Sequence, residues 1–223
     1  MAVRIHNKED FEKMRKAGRL TAEVLDHITD FIEAGVTTEY LNKICHDMII
    51  ASGAIPAPLN YRGFPKSICT SINHEICHGI PSEKRVLKSG DLIKIDASVI
   101  LDGWFGDSCR TYWVGEVSVL AKRLTKITYE SMMKGIEQVK PGNRLGDIGN
   151  AIQKHAEAHN YSVVRDYCGH GIGQVFHGEP DIMHFGKAGE GIILEEGMFF
   201  TIEPMINAGK YQTKLNQNDG WTV

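Results

Sequence analysis

The chain repeats itself at an offset of 107 residues. Gly90-Asp91-Leu92-Ile93-Lys94-Ile95-Asp96 aligns with Gly197-Met198-Phe199-Phe200-Thr201-Ile202-Glu203. The same offset sets Gly35 on Gly142, Leu41 on Ile148 and Cys45 on Ile152. An apolar strand ending near a carboxylate therefore occurs twice, each time after a helical segment. Two similar halves related by a pseudo-twofold axis would bring Asp96 and Glu203 together. Acids on apolar strands are costly unless something neutralises them, and a metal ion is the usual solution.

Periodicity gives the elements between these anchors. Asn7 can cap a helix with Phe11, Met14, Gly18, Thr21, Leu25, Ile28 and Ile32 on one face. Thr37 opens a second helix, with Leu41, Ile44, Cys45, Met48 and Ile49 inward, that stops near Ser52-Gly53. Residues 54–66 hold three prolines and read as a loop. Strands are expected over residues 68–72 and 90–112, and helices over about residues 118–139 and 144–158. A Gly/His-rich segment, Cys168 to Pro180, precedes a strand from Met198 to Ile206. The order helix, helix, strands appears twice without a low-complexity linker. The expected fold is one α+β domain over residues 1–223, with antiparallel sheet covered by helices.

Charge and cysteine usage narrow the function classes. A net charge of −3 gives no strong pull toward nucleic acid or an anionic membrane. The first ten residues lack an apolar leader core, and no apolar run is long enough to span a bilayer. Cys45, Cys69, Cys77, Cys109 and Cys168 form no CxxC pair, which argues for a reducing compartment and against a disulfide framework. A cytoplasmic protein is expected.

The chemistry concentrates in a few acids and histidines. Asp102-Gly103 is a two-residue hairpin signal between β-rich runs. In that hairpin residue 96 faces residue 109, so Asp107 lies on the face of Asp96 and diagonal to it. Two such carboxylates repel unless a cation sits between them. Glu203 comes from the equivalent strand, and His170 sits between glycines that allow close backbone approach. Taken singly, each acid reads as readily as a salt-bridge partner or turn cap. Three carboxylates and one imidazole together suit a hydrolytic two-metal centre better than a structural zinc site. His78-Gly79-Ile80-Pro81 and His177-Gly178-Glu179-Pro180 share the pattern H-G-x-P, one in each half. They suit paired hydrogen-bond donors over one cleft. His6, His27, His46, His74, His155, His159 and His184 lack such contexts and read as surface or helix-face residues.

The chain resembles the type I methionine aminopeptidases, which have the pita-bread metallopeptidase fold. The residues that carry the resemblance are Tyr61-Arg62-Gly63-Phe64-Pro65-Lys66-Ser67-Ile68-Cys69, Ser71-Ile72-Asn73, Cys77-His78-Gly79-Ile80-Pro81, Asp96 with Asp107, Gly169-His170-Gly171-Ile172-Gly173, Phe176-His177 and Thr201-Ile202-Glu203-Pro204. The resemblance implies two divalent metal ions, drawn from Co, Mn, Fe or Zn, held by Asp96, Asp107, His170 and Glu203. It implies Glu203 as the proton acceptor, His177 at the developing oxyanion and His78 at the scissile amide. Tyr61, Phe64, Cys69, His78, Phe176 and Trp221 would line the methionine pocket, with a small second residue preferred. The implied substrates are the N-termini of nascent polypeptides near the ribosome, and the implied state is a monomer. The same fold hosts proline-specific peptidases, which carry a further N-terminal domain, and a metal-deficient binding module is a third reading.

The family pattern runs on for roughly 40 residues past Val223, adding strands that would cover a sheet edge and a second bridging glutamate. The repeat points the same way. Trp104 to Trp113 partners the first acid-bearing strand, and no complete equivalent follows Glu203. A chain ending at Val223 would be expected to bind one metal more weakly.

Overall fold

The computed structural model describes residues 3–223. Met1 and Ala2, part of the stretch read above as lacking a leader, lie outside the described residues. The rest group into two compact units. The first holds Glu12–Ser118 with Lys214–Val223, and the second holds the described residues up to Phe11 with Val119–Thr213. Among the described residues no helix is long and apolar enough to cross a membrane.

Helix α1 (Lys8–Ile28) starts where Asn7 predicts. The Asn7 Oδ1 atom accepts from the backbone N–H groups of Glu9 at 2.9 Å and Asp10 at 3.1 Å, satisfying two of the helix's open donors. Its buried face differs in part from the expected one. Ala17, Leu20, Val24 and Ile28 are buried beside Thr21 and Leu25, and Ile32 lies beyond the helix, after a 3₁₀ turn over Thr29–Phe31. Helix α2 (Thr38–Ala51) is capped by the Thr37 hydroxyl, which accepts from Tyr40 N–H.

These helices cover a four-stranded sheet. Strand β3 (Leu92–Leu101) pairs along its length with β4 (Trp104–Trp113) through the expected Asp102-Gly103 turn. Its other edge pairs with β2 (Ile68–Ile72) and with the short β1 (Ile55–Pro56), all antiparallel. The fully buried Ile93, Ile95, Ala97 and Val99 meet Val24, Leu25, Ile28, Leu41 and Ile49 in one core. Alternation along β3 thus sends its apolar side to the helices and Lys94, Asp96 and Ser98 to the other face.

Gly106 on β4 marks the close approach of α1. A Cβ there would lie 2.4 Å from Ala17 O and from Thr21 Oγ1. Gly106→Ala is therefore expected to destabilise the chain by about 1–3 kcal/mol through overpacking, read as a lower urea midpoint.

The second unit repeats this plan. Helix α3 (Val119–Ile136) packs on α4 (Leu145–Ala158), and α4 starts and stops 107 residues after α2. The short β5 (Ser162–Val163) lies at the same offset from β1. It pairs with β8 (Ile206–Asn207) in the register in which β1 pairs with residues 99–100. The bridge Thr37↔Val86 recurs as Arg144↔Ile193. Gly90 and Gly197 share a left-handed conformation, with φ of 98° and 97°. Ile148, Ile152, Val163, Ile182 and Leu194 form a second core.

One expected element is absent as a strand. Residues 198–205 form no strand and carry, among the described residues, only a bridge from Phe200 to Gly171, and β8 starts at Ile206. The segment changes partners every few residues. Phe199 O and Thr201 N–H bond residues of β6 (Gly169–Gly171) and its neighbour Ile172. Glu203 N–H goes to a side chain, and Met205 O accepts from Val164 N–H. Pro204 has no N–H to offer, so no continuous ladder forms.

Candidate active site

In the first unit the hairpin register fixes two acids. Asp96 faces Cys109 on β4 and Cys69 on β2, while Asp107 faces Ser98. Both acids are half-buried on the sheet face away from the core. The buried Ser98 hydroxyl donates to Asp107 Oδ1 at 2.8 Å and orients that carboxylate. Burial, aided by the charge of Asp96, holds the Cys69 thiol well above its ordinary range, so the thiol is neutral.

His78 follows the turn after β2. Its backbone is left-handed at φ 56°, a conformation rare for a residue with a side chain. Burial lowers its pKa, partly opposed by the charge of Asp107, so the imidazole is neutral near pH 7. Phe64 is buried and meets Trp221 edge-on at 5.2 Å between ring centres, and Tyr61 carries the Arg62 guanidinium over its ring at 5.3 Å. The expected pocket pair Phe64 and Trp221 is thus in contact.

In the second unit β6 pairs with β7 (Gly178–Ile182) and carries His170. Its flanking glycines are sterically required, since a Cβ on Gly169 would lie 2.4 Å from Thr201 O and one on Gly171 2.0 Å from Glu179 O. His170 Nδ1 lies 3.1 Å from Gly171 O. That bond places the proton on Nδ1 and leaves the Nε2 lone pair to a ligand, the usual arrangement of a metal-binding imidazole. Nε2 is 3.5 Å from Glu203 Oε1. The exposed His177 ring lies tilted against the rings of His170, at 4.3 Å, and Phe176, at 4.2 Å.

Three contributors escaped the sequence reading. Ser98 and Thr201 carry no sequence signal, because a lone hydroxyl in an apolar segment gives no pattern of its own. The Thr201 hydroxyl accepts from His170 N–H at 3.0 Å and donates to Glu203 Oε1 at 2.6 Å. His184, expected at the surface or on a helix face, is only 1% exposed, and its Nε2 accepts from Glu203 N–H at 3.1 Å. Burial lowers its pKa to about 4. Its apolar neighbours Met183 and Phe185 were the one available signal. His6 is also buried, stacked on Phe199 at 4.2 Å, where a surface or helix-face position was expected.

Comparison with known proteins adds a family. Residues 12–222 match the model of metallopeptidase family M24. The chain is 62% identical over its full length to the methionine aminopeptidase of Rickettsia prowazekii, covering 86% of that protein. It is 54% identical to methionine aminopeptidase A of Synechocystis, over 99% of this chain and 87% of the relative. The crystal structure of the Rickettsia prowazekii enzyme superposes with a TM-score of 0.98, covering 99% of this chain and 89% of that one.

Proposed function

Since the chain belongs to the methionine aminopeptidases of metallopeptidase family M24, we propose that Asp96, Asp107, His170 and Glu203 are the ligands of its metal centre. The fold is the pita-bread fold of that family, and the activity is removal of an N-terminal methionine. Asp107, His170 and Glu203 offer the oxygen and nitrogen donors that divalent metals take. The donor chemistry fits two ions, with Co, Mn, Fe or Zn all compatible. A divalent metal bound there supplies Lewis acidity and a water of lowered pKa.

The observation that carries this reading is the His170 side chain, tied through Nδ1 to Gly171 O with Nε2 turned toward Glu203. The chain's own groups divide the remaining work. The Glu203 carboxylate takes the proton of the attacking water as oxygen adds to the carbonyl carbon of the first residue. His177 donates to the carbonyl oxygen as charge builds there. Neutral His78 contacts the scissile amide and helps return a proton to the departing nitrogen. Tyr61, Phe64, Cys69, Phe176 and Trp221, with His78, enclose the methionine side chain. The natural substrates are nascent polypeptides with a small second residue, met near the ribosome in the cytoplasm by a monomeric enzyme.

The test is hydrolysis of Met-Ala-Ser beside Leu-Ala-Ser and Ala-Pro-Ser, with Mn(II) and with a chelator. Methionine release should exceed leucine release by roughly 10-fold or more, as pocket discrimination allows, and the chelator should abolish it. Preferential cleavage of Ala-Pro-Ser, or undiminished activity in chelator, would overturn the reading.

A further inference from the structure

The two equivalent acids of the repeat are held in different ways. Asp96 sits in the middle of a ladder, with Cys69 paired on one side and Cys109 on the other. Its backbone has nowhere to move, and its carboxylate direction follows from the pleat. Glu203 has no such ladder. It lies outside every strand, just before Pro204 and between hydrogen-bond partners that change along the segment. An extended segment without a ladder is mobile unless side chains replace the missing bonds.

Two side chains of the second unit do so. Thr201 Oγ1 donates to Glu203 Oε1 at 2.6 Å and accepts from His170 N–H at 3.0 Å, so one hydroxyl ties both residues. His184 Nε2 accepts from Glu203 N–H at 3.1 Å. Because Nε2 accepts, the His184 proton sits on Nδ1, a buried atom with no hydrogen-bond partner among the described residues. A fully buried imidazole with one end unsatisfied is a poor stabiliser, and its retained bond is to Glu203 alone.

We propose that Thr201 and His184 are positioning residues that clamp Glu203, one by its carboxylate and one by its backbone amide, in place of the ladder that fixes Asp96. The repeat supports the substitution. The position equivalent to Thr201 is Lys94, whose ammonium bonds Asn73 O instead of the neighbouring acid. The bond from Thr201 to the acid two residues on is therefore not repeated by residue 94. This inference rests on Glu203 being a metal ligand.

The test measures Mn(II) affinity of the metal-free 223-residue chain by calorimetry, separately from turnover of Met-Ala-Ser. Thr201→Val keeps the volume and removes the hydroxyl, whereas Thr201→Ser keeps the hydroxyl. His184→Leu removes the acceptor, whereas His184→Gln can present its Oε1 to Glu203 N–H. The expected result is Mn(II) binding weakened about 10- to 100-fold in Thr201→Val and His184→Leu, as loss of outer partners does. kcat should fall with it, while Thr201→Ser and His184→Gln stay near the parent. Should His184→Leu fail to fold, the Thr201 pair still decides. Parental Mn(II) affinity in Thr201→Val, or equal losses in Thr201→Val and Thr201→Ser, would overturn the clamp. Glu203→Gln separates the two layers. If it is inactive while the clamp variants behave as the parent, the clamp alone fails. If it keeps parental Mn(II) affinity and turnover, the ligand assignment fails and the clamp with it.

Discussion

Asp107→Ala is expected to abolish methionine release from Met-Ala-Ser, and to change the metal dependence of stability in the same stroke. Asp107 and Asp96 lie on one face of the hairpin, diagonal across β3 and β4. Both are half-buried, so solvent moderates the repulsion expected of two carboxylates on one face. Ser98 holds Asp107 in place at 2.8 Å, which raises the cost of turning the carboxylate away. The native hairpin therefore keeps two negative groups together, an arrangement that favours a bound cation. Loss of a ligand should cost more than the about 100-fold typical of an outer partner. Stability should respond with opposite signs. The metal-free variant should melt close to the parent, because relieved repulsion offsets the lost bond from the buried Ser98 hydroxyl. With Mn(II) present the parent should gain stability by mass action while the variant gains little. Thermal melts of both proteins, with and without Mn(II), check this directly. Equal metal-induced shifts in parent and variant would show that Asp107 is no ligand.

That prediction rests on the part of the structure most legible in the sequence. The Asp102-Gly103 turn fixed the register of the hairpin, and the register fixed which acids share a face. The offset of 107 also carried far, since helix bounds, short strands and bridges recur at it. It misled at one place. By analogy with residues 92–101, residues 198–206 read as a strand, yet side chains and Pro204 interrupt the backbone pairing there. Periodicity reports which side of a segment is apolar but not whether a partner runs alongside it. The same limit hid His184. A histidine's burial depends on what packs over it, and the flanking Met183 and Phe185 hint at that without fixing it. Ser98 and Thr201 were invisible for a related reason, because their roles consist of single hydrogen bonds to acids the sequence had already singled out.

His177→Ala should separate catalysis from folding. The side chain is exposed, so its removal should leave thermal stability within about 0.5 kcal/mol, as for surface substitutions elsewhere. Its ring meets those of His170 at 4.3 Å and Phe176 at 4.2 Å in tilted contacts that help set the direction of the imidazole edge without burying it. A donor held that way costs little to desolvate and is ready when the carbonyl oxygen becomes negative. Loss of one such donor typically lowers kcat by about 10²- to 10³-fold. KM for Met-Ala-Ser should change far less, because the neutral carbonyl of the bound substrate needs the donor less than the developing oxyanion does. His177→Gln, which keeps an N–H donor on a flexible stem, should recover part of kcat. His78 makes the contrast sharp. It carries the same H-G-x-P context but is half-buried with a left-handed backbone. Its replacement should disturb local structure as well as rate. Steady-state kinetics over a range of Met-Ala-Ser concentrations decides the matter. A raised KM with unchanged kcat in His177→Ala would make His177 a substrate-binding group and remove it from the chemical step.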